Sequence, residues 1–231
     1  MIDKFGKLTL ESMNQADWYN KWTMNKIKSF LTGKILEIGC CIGNFTKTLL
    51  EFGQVYGIDI REDYVNETKK ILKTNGSKIG LGDIEKGGYF FKDEKFDSIV
   101  CINVLEHIRD DVRALRNMYN LLKKGGVLIL IIPAHPFLYG EIDRAIGHFR
   151  RYTKKDISFK LDEYGFYIQK FRTLNFIGAI GWFISGRILK NKIVDQSKIK
   201  FFNLLAPFFL RIEDMIEPVF GTSFLIIARK S

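Results

Sequence analysis

Cysteine is scarce in this 231-residue chain: there are three, Cys40, Cys41 and Cys101. So few, two of them adjacent, cannot form a disulfide framework. Neither a C-x-x-C pair nor a histidine-rich stretch offers metal-ligand spacing, so no metal site is expected and a reducing cytoplasm is the default compartment. No run of about 18 uninterrupted apolar residues occurs, so no ordinary transmembrane helix is expected. The nearest candidates, residues 176–189 and 201–212, are too short, and Arg187 lies inside the first. Residues 1–10 lack the apolar core of a signal peptide, and acids come early at Asp3 and Glu11. Acids are also outnumbered, 26 against 36 Lys+Arg, for a net charge of +10. Such a surface attracts anions (phosphates, nucleic acid or an acidic membrane leaflet) and says nothing about fold.

What the chain has is enough apolar residue to build a core, 46% against 27% charged, and a repeating alternation. Residues 34–39 (KILEIG), 54–60 (QVYGIDI), 78–82, 96–102 (FDSIVCI) and 127–132 (VLILII) read as strands, the last buried on both faces. Between them, 45–52, 62–73 and 110–122 read as helices. Val65, Thr68, Ile71 and Leu72 share one face of the second; Val112, Leu115, Met118, Tyr119 and Leu122 share one face of the third, which Gly125 and Gly126 are expected to stop. This alternation predicts a parallel sheet covered by helices, with ligands beyond the C-terminal strand ends. Thr153-Lys-Lys-Asp156 predicts the start of a helix that runs to Tyr164 and stops at Gly165. Residues 166–173 and 223–228 read as strands. Residues 174–222 are long for a connection and are expected to form a functional insertion.

The strand ends carry the chemistry. Glu37-Ile-Gly39-Cys40-Cys41-Ile-Gly43 follows the first run. A glycine directly after a strand allows a tight turn and lets a ligand approach the backbone. The spacing is not G-x-G-x-x-G, which disfavours NAD. About twenty residues on, Asp59 closes the second run, where an acid can accept both hydroxyls of a ribose or cap the next helix. Gly82-Asp83-Ile84 follows the third run, and Asn103-Val104-Leu-Glu-His107 the fourth.

In this order and spacing the four signals resemble the class I S-adenosylmethionine-dependent methyltransferases, over roughly residues 30–173 and a last strand near 223–229. The family's first motif is E/D-x-G-x-G-x-G; Glu37, Gly39 and Gly43 match it, and Cys41 stands at the middle glycine. The resemblance implies an α/β, Rossmann-like methyltransferase fold. Its mostly parallel seven-stranded sheet is flanked by helices, with a helical insertion before the last strand. It divides the chain into an N-terminal helical cap over the cofactor (1–32) and a methyltransferase domain (33–231) that includes the Phe-rich insertion (174–222). It implies S-adenosyl-L-methionine as cofactor and S-adenosyl-L-homocysteine as product. By the same resemblance, Glu37, Gly39, Cys40, Cys41 and Gly43 line the cofactor and Asp59 holds the ribose. Gly82 and Asp83 face the adenine amino group, while Ile60 and Ile84 pack on the ring. Asn103 and Val104 meet the methionine portion, and His107 lies near the cofactor. Such an enzyme positions a nucleophile in line with an electrophilic methyl group and removes a proton where needed, so no covalent residue is required.

Residues 133–152 (PAHPFLYGEIDRAIGHFRRY) follow the fifth run, with two histidines, two carboxylates, three arginines and two tyrosines. The block resembles a methyltransferase subgroup with an L-Y-G-x-x-D-x-x-x-G-H-x-R-R-Y segment, similar to enzymes acting on lipids, sugars or other small molecules. His148 is the first candidate for general base, because histidine titrates near neutrality; bonding a backbone carbonyl is its structural alternative. His135 is the second candidate, and Glu141 or Asp143 could orient either. Arg150 and Arg151 could clamp a phosphate or carboxylate, or pair with Asp143, Glu141 or Asp156. Tyr139 and Tyr152 complete the expected substrate-binding set. Trp18, Tyr19 and Trp22 form an aromatic stripe before the sheet, read as a cover for the cofactor or as plain packing.

The insertion holds two apolar groups, from Phe176 to Ile188 and from Phe201 to Met215, separated by Arg187, Lys190, Lys192, Lys198 and Lys200. Three readings compete: a lid on a hydrophobic substrate pocket, a contact with an anionic membrane surface, or packing and a dimer interface. The first two favour a lipid-like or glycolipid-like small-molecule acceptor and a cytoplasmic protein that works peripherally at the inner membrane face, as monomer or homodimer. A nucleic-acid methyltransferase is a rival suggested by the charge, but no proline follows Asn103 as in N/D-P-P-Y segments, and no RNA-binding module stands out. The other rivals are a non-catalytic membrane adaptor and an NAD enzyme.

Overall fold

The protein is described by a computed structural model covering residues 17–72, 76–87, 90–193 and 196–231. The side chains of Lys198, Lys200 and Phe201, the residue Lys73 and the first sixteen residues of the expected cap lie outside the described residues.

Seven strands form one sheet in the order β3-β2-β1-β4-β5-β7-β6. They are β1 (Lys34–Ile38), β2 (Gln54–Asp59), β3 (Lys78–Leu81), β4 (Phe96–Ile102), β5 (Leu122–Pro133), β6 (Phe166–Leu174) and β7 (Ser223–Lys230). β1 pairs in parallel with β2 and β4, β2 with β3, and β4 with β5. The central strands are apolar on both faces because helices cover both. Ile35, Leu36, Ile99, Leu128, Ile129 and Leu130 have no exposed surface. The chain order reverses between β1 and β4, and in sheets of this kind ligands bind outside the carboxyl ends at that point.

The helices are α1 (Asp17–Ile27), α2 (Thr46–Leu49), α3 (Glu62–Lys69), α4 (Asp111–Leu121), α5 (Glu141–Ile146), α6 (Lys154–Glu163), α7 (Phe176–Trp182), extended by a π-helical stretch Phe183–Ile188, and α8 (Gln196–Met215). In α4 the Asp110 carboxylate accepts the Arg113 N–H at 2.9 Å as N-cap, and Ala114, Leu115, Met118 and Leu121 are buried along one stripe.

Two expected elements differ. Helix α4 stops at Leu121, and the Gly125-Gly126 pair lies inside β5. Phe96 pairs with Leu122 and Ser98 with Val127, so residues 123–126 bulge out of the ladder, with Gly125 at φ +72°. The expected helix 45–52 is regular only over Thr46–Leu49; the turns around it close on short-range bonds such as Phe52 N–H to the Leu49 carbonyl.

The chain divides into two compact units. The larger comprises Ile27–Ile131, Lys155–Phe171 and Ile226–Ser231. The other comprises Ile132–Lys154, Arg172–Leu225 and the described residues up to Lys26. In this second unit Trp18 is 46% exposed, Tyr19 and Trp22 are buried, and the Trp22 indole donates to Asp214 Oδ1 at 2.9 Å. The Glu213 carboxylate accepts the N–H groups of Asn175 (2.6 Å) and Phe176 (3.1 Å), so α8 caps the start of α7.

Candidate active site

All the residues expected around the cofactor fall in the larger unit. Gly39 follows β1 at φ +74°, and its N–H and that of Cys40 both donate to the Ile58 carbonyl, at 2.8 and 3.0 Å. A Cβ at Gly39 would stand 2.4 Å from Val104 Cγ2, so only glycine lets this turn lie against Val104. Gly43 has φ +85°. Cys41, where the family pattern has glycine, lies in the left-handed region at φ +48°. That conformation costs a non-glycine residue about 1–2 kcal/mol. Two bonds hold it: the Cys41 N–H donates to Asp59 Oδ2 at 3.0 Å, and Thr68 Oγ1 donates to the Cys41 carbonyl at 2.6 Å.

Asp59 closes β2 and is buried. Its Oδ1 accepts the Arg61 N–H at 2.9 Å, so the carboxylate stitches the glycine turn to the start of α3. Burial raises its pKa, opposed by the N–H bonds from Arg61 and Cys41. Ile60 is 72% exposed, open to a ligand ring. Ile84, the other expected ring contact, is buried at 3%, because its side chain packs into the core. Leu81 at the end of β3, passed over in the sequence, is the exposed apolar side chain there, at 55%. Gly82 is buried and donates to the Asp59 carbonyl at 2.9 Å. Asp83 is half-buried; its Oδ1 accepts the Glu85 N–H at 3.0 Å and Lys86 Nζ stands 3.3 Å from its Oδ2. After β4, Asn103 is exposed at φ +52°, Val104 is half-buried and His107 is exposed.

Glu37 is buried in β1 with Thr46 Oγ1 donating to its carboxylate. Burial pushes its pKa up to about 8; the Thr46 bond opposes the rise and the Asp59 charge adds to it. An acid with a raised folded-state pKa costs stability as pH climbs from its ordinary value, 4.5, to about 8. Glu37→Gln is therefore expected to gain about 2–4 kcal/mol relative to wild type on going from pH 5 to pH 9. Urea melts at the two pH values check this, and an equal effect at both refutes it.

The second constellation lies wholly in the smaller unit and centres on Asp143, which has no exposed surface. Its Oδ1 meets His148 Nδ1 at 2.9 Å and Arg151 Nε at 2.8 Å. Its Oδ2 accepts the Gly140 N–H and the Trp182 indole N–H, both at 3.0 Å. Arg151 Nη1 also donates to the carbonyls of Ala134 (3.1 Å) and Thr222 (3.3 Å). The expected substrate set is thereby corrected in part. Asp143, Arg151 and Tyr152 are interior groups, at 0, 6 and 1% exposure, because the ion pair and core packing take them. Glu141 pairs with Arg144, Arg150 is half-buried beside the Phe149 ring, and Tyr139 Oη donates to the His148 carbonyl at 2.8 Å. His135 sits at φ +60° between the Phe137 and Phe224 rings. Its Nε2 is buried with no hydrogen-bond partner among the described residues, and burial and the Arg151 charge lower its pKa. Trp182 was legible only as an apolar residue; its indole N–H, which needs a partner when buried, was the available signal.

Residues 36–130 match the family described as "Methyltransferase domain". Over 175 residues the chain is 31% identical to an uncharacterized protein of Methanocaldococcus jannaschii, covering 74% of this chain and 69% of that one. Residues 36–130 are thus a methyltransferase domain, on the fold of the S-adenosylmethionine-dependent methyltransferases. It is also 28% identical over 156 residues to the juvenile hormone acid O-methyltransferase of Bombyx mori, covering 59% of this chain and 56% of the relative. The methyltransferase thus spans little more than half of that relative's length. The N-methyltransferase NodS of Bradyrhizobium japonicum, solved with S-adenosyl-L-homocysteine, shares its fold: TM-score 0.59 at 17% identity, covering 91% of this chain and 84% of that one.

The family's methyl donor suits these strand ends. Asp59 at the end of β2 and Asp83 after β3 are carboxylates that accept hydrogen bonds from hydroxyl and amino groups, whereas Glu37 is buried against Thr46. These strand ends suit S-adenosyl-L-methionine as the cofactor of this methyltransferase.

Proposed function

We propose that this methyltransferase moves a methyl group from S-adenosyl-L-methionine to a small-molecule acceptor with an apolar tail, working at an anionic membrane face. The observation that carries the reading is Asp59, placed at the end of β2 and bonded to the left-handed turn at Cys41. Asp59 holds the ribose, Asp83 the adenine amino group, Ile60 and Leu81 shelve the ring, and Asn103 with Val104 borders the methionine portion. When bound, the cofactor supplies a methyl group made electrophilic by sulfonium charge. His148 takes the acceptor's proton. Its Nδ1 meets Asp143 Oδ1 at 2.9 Å, a contact that orients the ring. The exposed apolar residues of the insertion support an apolar acceptor, as does the Bombyx mori relative, whose acceptor is juvenile hormone acid.

Titration calorimetry with S-adenosyl-L-homocysteine tests the donor site. The wild type binds, and Asp59→Ala binds about 10- to 100-fold more weakly, the loss of charge-assisted hydrogen bonds to two hydroxyls. A wild type that binds NAD and not the homocysteine nucleoside ends this reading. For the base, His148→Gln is expected to lower turnover of an identified acceptor about 100-fold; turnover equal to wild type removes His148 from the reaction.

A further inference from the structure

Between Ile180 and Ile193 the insertion exposes more apolar surface than its packing needs. Ile180, Phe183, Ile184, Ile188, Leu189 and Ile193 are 38–59% exposed. The only charged side chains in the segment are Arg187, Lys190 and Lys192, all cationic. The inner side of the segment is tied down. Trp182 donates to Asp143, Arg187 Nη1 donates to the Phe137 and Tyr139 carbonyls at 3.1 and 3.3 Å, and Gly186 packs so close to Gly140 that a Cβ there would stand 2.7 Å from the Gly186 carbonyl oxygen. An apolar outer side with one sign of charge is therefore held by a defined inner side.

We infer that residues 180–193 form a docking surface for an anionic lipid bilayer, the apolar side chains entering the headgroup boundary and Lys190 and Lys192 meeting lipid phosphates. This deepens the proposed apolar-tailed acceptor and rests on that reading for its purpose, though not for its test. Charge complementarity selects the occupant. A second copy seated on the same face would bring Lys190 and Lys192 against their own equivalents. The contact is peripheral: no helix among the described residues is long and apolar enough to cross a membrane.

Vesicle flotation of the full chain tests this, with phosphatidylcholine alone and phosphatidylcholine mixed with phosphatidylglycerol. The protein is expected to float with the mixed vesicles, stay down with the neutral ones, and release as salt is raised. Lys190→Gln with Lys192→Gln lowers the partition coefficient about 25-fold, about fivefold for each cation removed. Ile188→Glu with Leu189→Glu abolishes flotation. All variants keep wild-type affinity for S-adenosyl-L-homocysteine, which shows that they are folded and separates failure of this surface from failure of the donor site. A wild type that ignores anionic vesicles overturns the inference. So does an Ile188→Glu, Leu189→Glu protein that floats like wild type, or a solution dimer that this variant dissolves while vesicles stay unbound.

Discussion

Asp143→Ala is expected to destabilise the protein by about 3–5 kcal/mol, the cost of stranding a buried charge. Two carboxylate oxygens with no exposed surface serve four donors: His148 and Arg151 on one, Gly140 and Trp182 on the other. The Arg151 side chain is only 2% exposed, and its Nη1 also donates to the Ala134 and Thr222 carbonyls. Alanine would remove the carboxylate that the guanidinium meets at 2.8 Å and that accepts the indole and Gly140 N–H groups, in a site too enclosed for water to replace it cheaply. Urea denaturation at pH 7 with an unchanged m-value reads this directly. A loss below about 1 kcal/mol would mean that Arg151 finds another anion and that Asp143 is no hub.

The same group sets a pH window. Burial by itself raises the Asp143 pKa, but the His148 hydrogen bond, the Arg151 charge and the Trp182 bond outweigh it and hold the carboxyl at about 2. In the unfolded chain it titrates near its ordinary 3.8. The folded state thus binds fewer protons between those values. The stabilisation is complete above about pH 4 and fades as pH falls towards 2, by about 2 kcal/mol. The stability gap between wild type and Asp143→Ala is therefore expected to narrow over that interval, and a constant gap would contradict the ionised pair.

The parts of this protein legible in its sequence are those whose signal is local. FDSIVCI reads as a buried strand because both of its faces are covered, and residues 96–102 are β4. Glu37, Gly39, Gly43 and Asp59 stand at consecutive strand ends because a crossover sheet needs turns just there. What stayed hidden depends on partners far along the chain. Asp143, Arg151 and Tyr152 look like substrate groups until the structure buries them, and the residue that completes the Asp143 site, Trp182, lies 39 positions away. Ile84 and Leu81 differ in sequence by three positions and in exposure by 3% against 55%, a difference set by how β3 packs. The glycine pair at 125–126 reads as a helix stop, yet it forms a bulge, because register between β4 and β5 is a property of two strands.

Gly39→Val is expected to cost about 2–5 kcal/mol of stability and to weaken S-adenosyl-L-homocysteine binding more than about 100-fold. Two independent penalties add. At φ +74° a branched side chain is strained by its own backbone. Its Cβ would also stand 2.4 Å from Val104 Cγ2, so the tip of β1 or the residues after β4 must move. Movement on the β1 side carries the turn with it, and the Cys41 N–H that meets Asp59 at 3.0 Å is two residues on. The penalties can be separated. Gly39→Ala introduces both, and adding Val104→Ala removes the methyl group it strikes while leaving φ untouched. The double variant is expected to recover about 1 kcal/mol or more of coupling in a mutant cycle read by urea denaturation. Recovery would place part of glycine's requirement in the close approach of the β1 turn to Val104. A coupling of zero would place all of it in the backbone angle, and the same conformation at Cys41 would then rest wholly on its bonds to Asp59 and Thr68.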